Sequence, residues 1–118
     1  MSAQATAIAA LIGGYRFRFD SELQLQDRIA ELLTQTGMKH SREVILSKAD
    51  RIDFLVGQVG IEIKIDLPTS SVLRQLYRYA QAERVSAMVL VTNRSKHLNI
   101  PREMNGKPVE VVFLGANL

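Results

Sequence analysis

Asp53, Glu62 and Lys64 are the residues whose types and spacing could do chemistry. They stand in two β-rich runs, Arg51 to Val56 and Ile61 to Ile65, joined by a stretch that Gly57 and Gly60 bound. Side chains alternate along a strand. Ile52, Phe54, Val56, Ile61, Ile63 and Ile65 are therefore expected on one apolar face, and Arg51, Asp53, Glu62, Lys64 and Asp66 on the other. A two-residue turn at Gly57-Gln58, glycine first, sets Asp53 opposite Glu62 with Cβ atoms about 4.5–5.5 Å apart. Two carboxylates so placed repel unless a cation neutralises them. Magnesium suits the place, because it takes oxygen ligands, keeps several waters and is commonly held by one or two carboxylates plus substrate phosphate. The backbone carbonyl of Ile63 is a further candidate ligand. Lys64 shares the face of Glu62, where an ammonium can orient a water or stabilise charge developing on a phosphate. A divalent ion also makes hydroxide available near neutral pH, so phosphodiester hydrolysis is the natural reaction. The competing reading is an exposed sheet face whose charges form only cross-strand ion pairs.

The elements that must hold this hairpin lie on either side of it. Residues 3 to 12 read as a short helix ended by Gly13-Gly14, and Tyr15-Arg16-Phe17-Arg18-Phe19 as an edge strand or an extended arm. Ser21 followed by Gln24 is a capping-box signal, and Leu25, Ile29, Leu32 and Leu33 recur at helical spacing until Gly37, which predicts a helix over about 22–36. Val44 to Leu46, Ile52 to Val56 and Ile61 to Ile65 predict a three-stranded meander. Pro68 breaks the sheet, Thr69 or Ser70 caps a second helix, and Val72, Leu76, Tyr79, Ala80 and Glu83 line one side of it to about residue 83. Val85 to Thr92 is apolar on both sides, as a strand reached by a crossover is, and a last strand covers about Val109 to Leu114. This order predicts an α/β sandwich around a mixed central sheet flanked by helices.

Composition removes several chemistries. The chain has no cysteine, which excludes disulfides, zinc–thiolate sites, iron–sulfur clusters and thiol nucleophiles. His40 and His97 have no carboxylate or second histidine at ligand spacing, so neither reads as a metal ligand or general base. With 118 residues, 47% of them hydrophobic, there is material for one core and too little for two domains. The apolar stretch Ala7 to Ile12 has no basic lead and falls far short of the roughly 18 residues that span a bilayer, so a cytoplasmic protein is expected, with no membrane partner. A net charge of +3 decides little, but Arg74, Arg78, Arg84, Arg94, Lys96, Arg102 and Lys107 make the second half basic. That asymmetry suits a polyanion.

Arg51-Ile52-Asp53 with Ile61-Glu62-Ile63-Lys64 resembles the signature of the PD-(D/E)XK nuclease superfamily, with the acid of its first motif on Asp53 and Ile52 where many members carry proline. The order of elements is similar too, and the resemblance covers roughly residues 21–92. It implies a restriction-endonuclease-like fold with an αβββαβ core, a Mg2+ or Mn2+ cofactor held by Asp53 and Glu62, and Lys64 assisting the water or the transition state. Gln75-Leu76-Tyr77-Arg78-Tyr79 is similar to the QxxxY motif that follows the catalytic lysine in the RecB-like and lambda-exonuclease-like branches. The implied roles are a Gln75 that orients the site or substrate and a Tyr79 that packs near the phosphate, four residues apart on one helix face. Glu22 resembles the acid many members carry at the start of the first helix, which would add it to the metal ligands. A first-turn carboxylate is also favoured by the helix dipole alone.

One nuclease domain is expected over residues 1–118: an N-terminal helix and arm to residue 20, the core of the resemblance over 21–92, and a basic loop with the last strand over 93–118. In so small a chain no separate reading domain is expected. The expected activity is a structure-selective or weakly sequence-specific nuclease, of DNA, resembling small junction resolvases or end-processing enzymes. Arg74, Arg78, Arg94, Lys96 and Arg102 are the expected nucleic-acid-binding residues, tracking phosphates without reading bases. Ala7 to Ile12 and the aromatic side of Tyr15, Phe17 and Phe19 lie outside the resembling core and need cover, which predicts a homodimer. The rival is a non-catalytic nucleic-acid-binding or assembly subunit that keeps the nuclease-like fold.

Overall fold

Ser21 starts the helix that packs behind the hairpin. Its backbone is extended and its hydroxyl accepts from the Gln24 N–H at 3.1 Å, while the Gln24 side chain accepts from the Asp20 N–H at 2.6 Å. The capping box forms with its return bond displaced one residue outward. In the computed structural model, which describes residues 2–115, this helix is α2 (Glu22–Gln35), preceded by α1 (Ala3–Gly13). Residues 1 and 116–118 of the expected domain lie outside the described residues. β1 (Ser41–Ile45), β2 (Arg51–Val56) and β3 (Val59–Lys64) follow, then α3 (Thr69–Tyr79) and β4 (Ala87–Thr92). A 3-10 turn at Ser95–Asn99, β5 (Glu103–Met104) and β6 (Lys107–Phe113) complete the described elements.

The fold is a mixed α/β sandwich on a six-stranded sheet of order β1-β2-β3-β4-β6-β5. β1, β2 and β3 pair antiparallel; β4 pairs parallel with both β3 and β6. One face carries Leu25, Ile29 and Leu33 of α2 and Ile8 and Ile12 of α1 against Phe54, Ile61, Ile63 and Val89. The other carries Val72, Leu76 and Tyr79 of α3 against Ile52, Leu55, Met88 and Leu90. Every residue of β3 and β4 is buried, as strands between two helical layers must be. For Glu62 and Lys64 an exposed charged face is therefore overturned, because α3 covers the side of β3 that bears them, whereas Arg51 is exposed and lies 3.9 Å from Glu43 of β1.

Several expectations need correction. α3 stops at Tyr79, where Gln81 and Ala82 turn back to Arg78 and Tyr79 in tighter bonds, so Glu83 is exposed beyond the helix. Pro68 itself occupies the N-cap, with its ring holding an extended backbone, and no side chain caps; Thr69 and Ser70 are already helical. Residues 15–19 are a connection with no strand pairing. Phe17 is buried with Ala5, Ile8 and Ile12, and α1 packs on β4 and β6. Of the surface expected to need a second copy, the chain itself covers Ile8, Ile12 and Phe17, while Tyr15 stays 50% exposed and Phe19 half-buried. Asn105 and Gly106, at φ 52° and 75°, form the left-handed pair that a tight hairpin between β5 and β6 requires. Among the described residues no helix is long and apolar enough to cross a membrane.

Candidate functional site

Gly57 takes φ 58° at the first turn position, and β2 and β3 pair Phe54 with Ile61, Leu55 with Gly60 and Val56 with Val59. This is the expected register, and continuing it sets Asp53 against Glu62. The ladder ends at Phe54 and Ile61, however, and the acids close the strands instead. The Asp53 N–H donates to Glu62 Oε1 at 3.1 Å, and the Ile63 N–H donates to Asp53 Oδ2 at 2.8 Å. β2 changes phase here. Ile52 faces α3 and not, as alternation predicts, the Phe54 side, and a Cβ on Gly60 would sit 2.3 Å from its Cδ1. Glycine at 60 makes room for the shifted isoleucine.

Glu62 is only 3% exposed and is held from two sides. Its Oε2 accepts from Lys64 Nζ at 2.8 Å and from the Tyr79 hydroxyl at 2.9 Å. That hydroxyl also lies 3.1 Å from the Arg51 carbonyl and divides one proton between the two acceptors. Burial first, then the charge of Glu62, raises the pKa of Tyr79, so it remains a donor. Gln75, one turn earlier on α3, is half-buried with its Oε1 unpaired. Gln75 and Tyr79 line a cleft of about 390 Å3 with Ser47, Lys48 and Arg51.

Asp53 is held from the opposite layer. Gln26 Nε2 donates to Asp53 Oδ1 at 3.0 Å, and Gln26 Oε1 accepts from Arg42 Nη2. A guanidinium only donates, so Arg42 fixes which end of the amide faces Asp53. Arg42 also reaches Asp27 at 2.9 Å and lies over the Phe54 ring. Sequence reasoning passed over Gln26; its signal was a polar residue among Glu22, Ile29 and Leu33 on the inward stripe of α2. Glu22 is exposed at the start of α2, and its Oε1 accepts from the Ile65 N–H at 3.3 Å, at the end of β3. Burial, with the charge of Glu62 next, pushes the Asp53 carboxyl up to about 7, and Glu22 adds to the rise against the lowering by Ile63 N–H and Lys64.

The arrangement fits a divalent cation in chemistry. Each carboxylate offers about four acceptor positions. The bonds above occupy two on Asp53 and three on Glu62, leaving oxygen positions open at a place where negative charge is under-compensated. Among the described residues no group of three or more His, Cys, Asp or Glu stands ready as a metal cage. Of the basic residues, Arg74 is exposed, Arg78 pairs with Asp50 at 2.7 Å, and Arg94 lies 3.8 Å from Asp66 just beyond β3. Lys96 and Arg102 are exposed and belong to the segment between β4 and β6, whose Ile100 and Met104 pack in one cluster with Val72 and Leu76 of α3; Arg102 donates to the Leu98 carbonyl at 2.8 Å. His97 is fully buried, with Nδ1 2.6 Å from Thr92 Oγ1, and burial lowers its pKa, which keeps it a neutral structural ring. Compared with protein-family models, curated proteins and solved structures, the chain matches none of them.

Proposed function

We propose that this chain is a magnesium- or manganese-dependent nuclease that hydrolyses phosphodiester bonds, of DNA in the first place, with a restriction-endonuclease-like core formed by α2, β1, β2, β3, α3 and β4. One observation carries the reading. Two carboxylates on paired strands, Asp53 and Glu62, meet where the ladder opens, with Lys64 2.8 Å from Glu62 and the Asp53 carboxyl raised to about 7. Structural ion pairs do not need like charges brought together. Asp53 and Glu62 would hold the ion, with the Ile63 carbonyl and Glu22 completing its protein ligands. When bound, the ion supplies positive charge to the phosphate and acidifies water.

The chain's own groups do the rest. Lys64, turned from Glu62 to the phosphate, offsets the charge that develops there. Tyr79 keeps Glu62 aimed and Gln26 keeps Asp53 aimed, while Gln75, half-buried one turn before Tyr79, would orient the substrate. Arg74, Arg78, Arg94, Lys96 and Arg102 bind phosphates, which favours shape over sequence. The test is incubation with junction, flap, single-stranded and duplex DNA in magnesium, manganese or chelator. Metal-dependent cleavage of any of these is expected. Binding without cleavage in either metal would replace the nuclease with a nucleic-acid-binding subunit.

A further inference from the structure

We infer that the outer face of α3 is a platform for an unpaired nucleotide beside the site, so the preferred substrate carries a single-stranded segment. The inference deepens the nuclease reading and rests on it for the identity of the polymer. Tyr77 is 59% exposed, whereas Val72, Leu76 and Tyr79 of the same helix are buried. With Leu73 it forms an open apolar patch on the outer face of α3, flanked by Arg74 and Arg78. At 3.6 residues per turn, the side chains met in passing around α3 from the site are Gln75, Arg78, Arg74, Tyr77 and Leu73. The two arginines thus separate the polar cleft at Gln75 and Tyr79 from the apolar patch at Tyr77. Arg74 has no ion pair or hydrogen bond among the described residues, and Arg78 is offset only by Asp50.

This sequence of surfaces matches one ligand chemistry. A nucleotide chain leaving the polar cleft would set a phosphate against the guanidinium pair and the next base against the tyrosine ring. Every base offers a π-face for such stacking, so the contact is indifferent to sequence. A base inside an intact duplex has both faces covered by its neighbours and cannot use Tyr77. The platform therefore selects single-stranded overhangs, flaps and junctions over fully paired duplex.

The experiment measures binding of a labelled oligothymidylate and of a blunt duplex of the same length, in chelator so that cleavage is silent. Tyr77→Ala should weaken binding of the single strand about tenfold and leave the duplex unchanged, while Tyr77→Trp should retain it. Unfolding curves that match the unaltered protein exclude a folding defect at this exposed position. Equal losses on both ligands, no loss on the single strand, or no single-strand binding by the unaltered protein would each overturn the inference; the second points to a protein partner at this face. Cleavage with magnesium is scored separately. Tyr77-dependent binding without cleavage would remove the nuclease and keep the platform, and cleavage with Tyr77-independent binding would do the reverse.

Discussion

Gln26 donates to Asp53 across 3.0 Å while Arg42 holds the far end of the same amide, so the first acid of the site is aimed by a neutral group whose orientation a cation fixes. Gln26→Ala should lower manganese affinity by about 10- to 100-fold, as loss of a ligand's hydrogen-bonded support commonly does. Calorimetric titration checks this. Arg42→Ala should give a smaller loss, because it frees the amide to rotate without removing it.

The raised Asp53 carboxyl makes a pH prediction. Folded Asp53 keeps its proton to about pH 7, whereas an unfolded aspartate releases it near 3.8. The folded state binds more protons between those values, so this group's contribution is fully present below about pH 4 and is lost as pH rises to about 7. Denaturant unfolding in chelator should show Asp53→Asn more stable than the unaltered protein at pH 8, by at most about 4 kcal/mol, and the difference should vanish near pH 4. Adding manganese at pH 8 should stabilise only the unaltered protein.

Asp53→Asn and Glu62→Gln should each abolish cleavage while the chain stays folded, since each relieves repulsion. Lys64→Ala should abolish turnover and retain the ion, because its ammonium is no ligand. A loss of manganese affinity in Lys64→Ala as large as in Asp53→Asn would contradict that role.

Arg74→Ala combined with Arg78→Ala should weaken binding about equally on unrelated sequences. The slope of log affinity against log salt should flatten by about 0.9 per lost contact on duplex and about 0.7 on single strands. A changed sequence preference at constant slope would show that these arginines read bases.

The hairpin register was legible because Gly57 leaves few ways to turn, and the inward stripe of α2 because Leu25, Ile29 and Leu33 repeat at helical spacing. The burial of Glu62 and Lys64 was not, since alternation assigns a residue to a face without saying what covers it. The same limit hid the packing of Ile8, Ile12 and Phe17, which depends on strands about a hundred residues further along. Gln26 escaped because glutamine on a helix ordinarily faces water; only its contact with Asp53 gives it meaning. Ile52 was misplaced because β2 changes phase at Asp53, where carboxylates accept the strand N–H groups and Glu43 of the facing strand takes φ 52°, which no period encodes. The Asn105-Gly106 turn was readable from its two residues alone and shortens the basic loop into a hairpin.

At its open end the β2–β3 hairpin is latched by carboxylates and not by peptide groups, since Asp53 N–H and Ile63 N–H have side-chain acceptors. Two backbone protons therefore sense the charge on the very oxygens that would ligate an ion. Their hydrogen-exchange rates become an occupancy gauge, changing with ion concentration while neighbouring amides at Phe54 and Ile61, inside the ladder, keep theirs. A binding constant is then measurable from the backbone alone, with no substrate present and no turnover required.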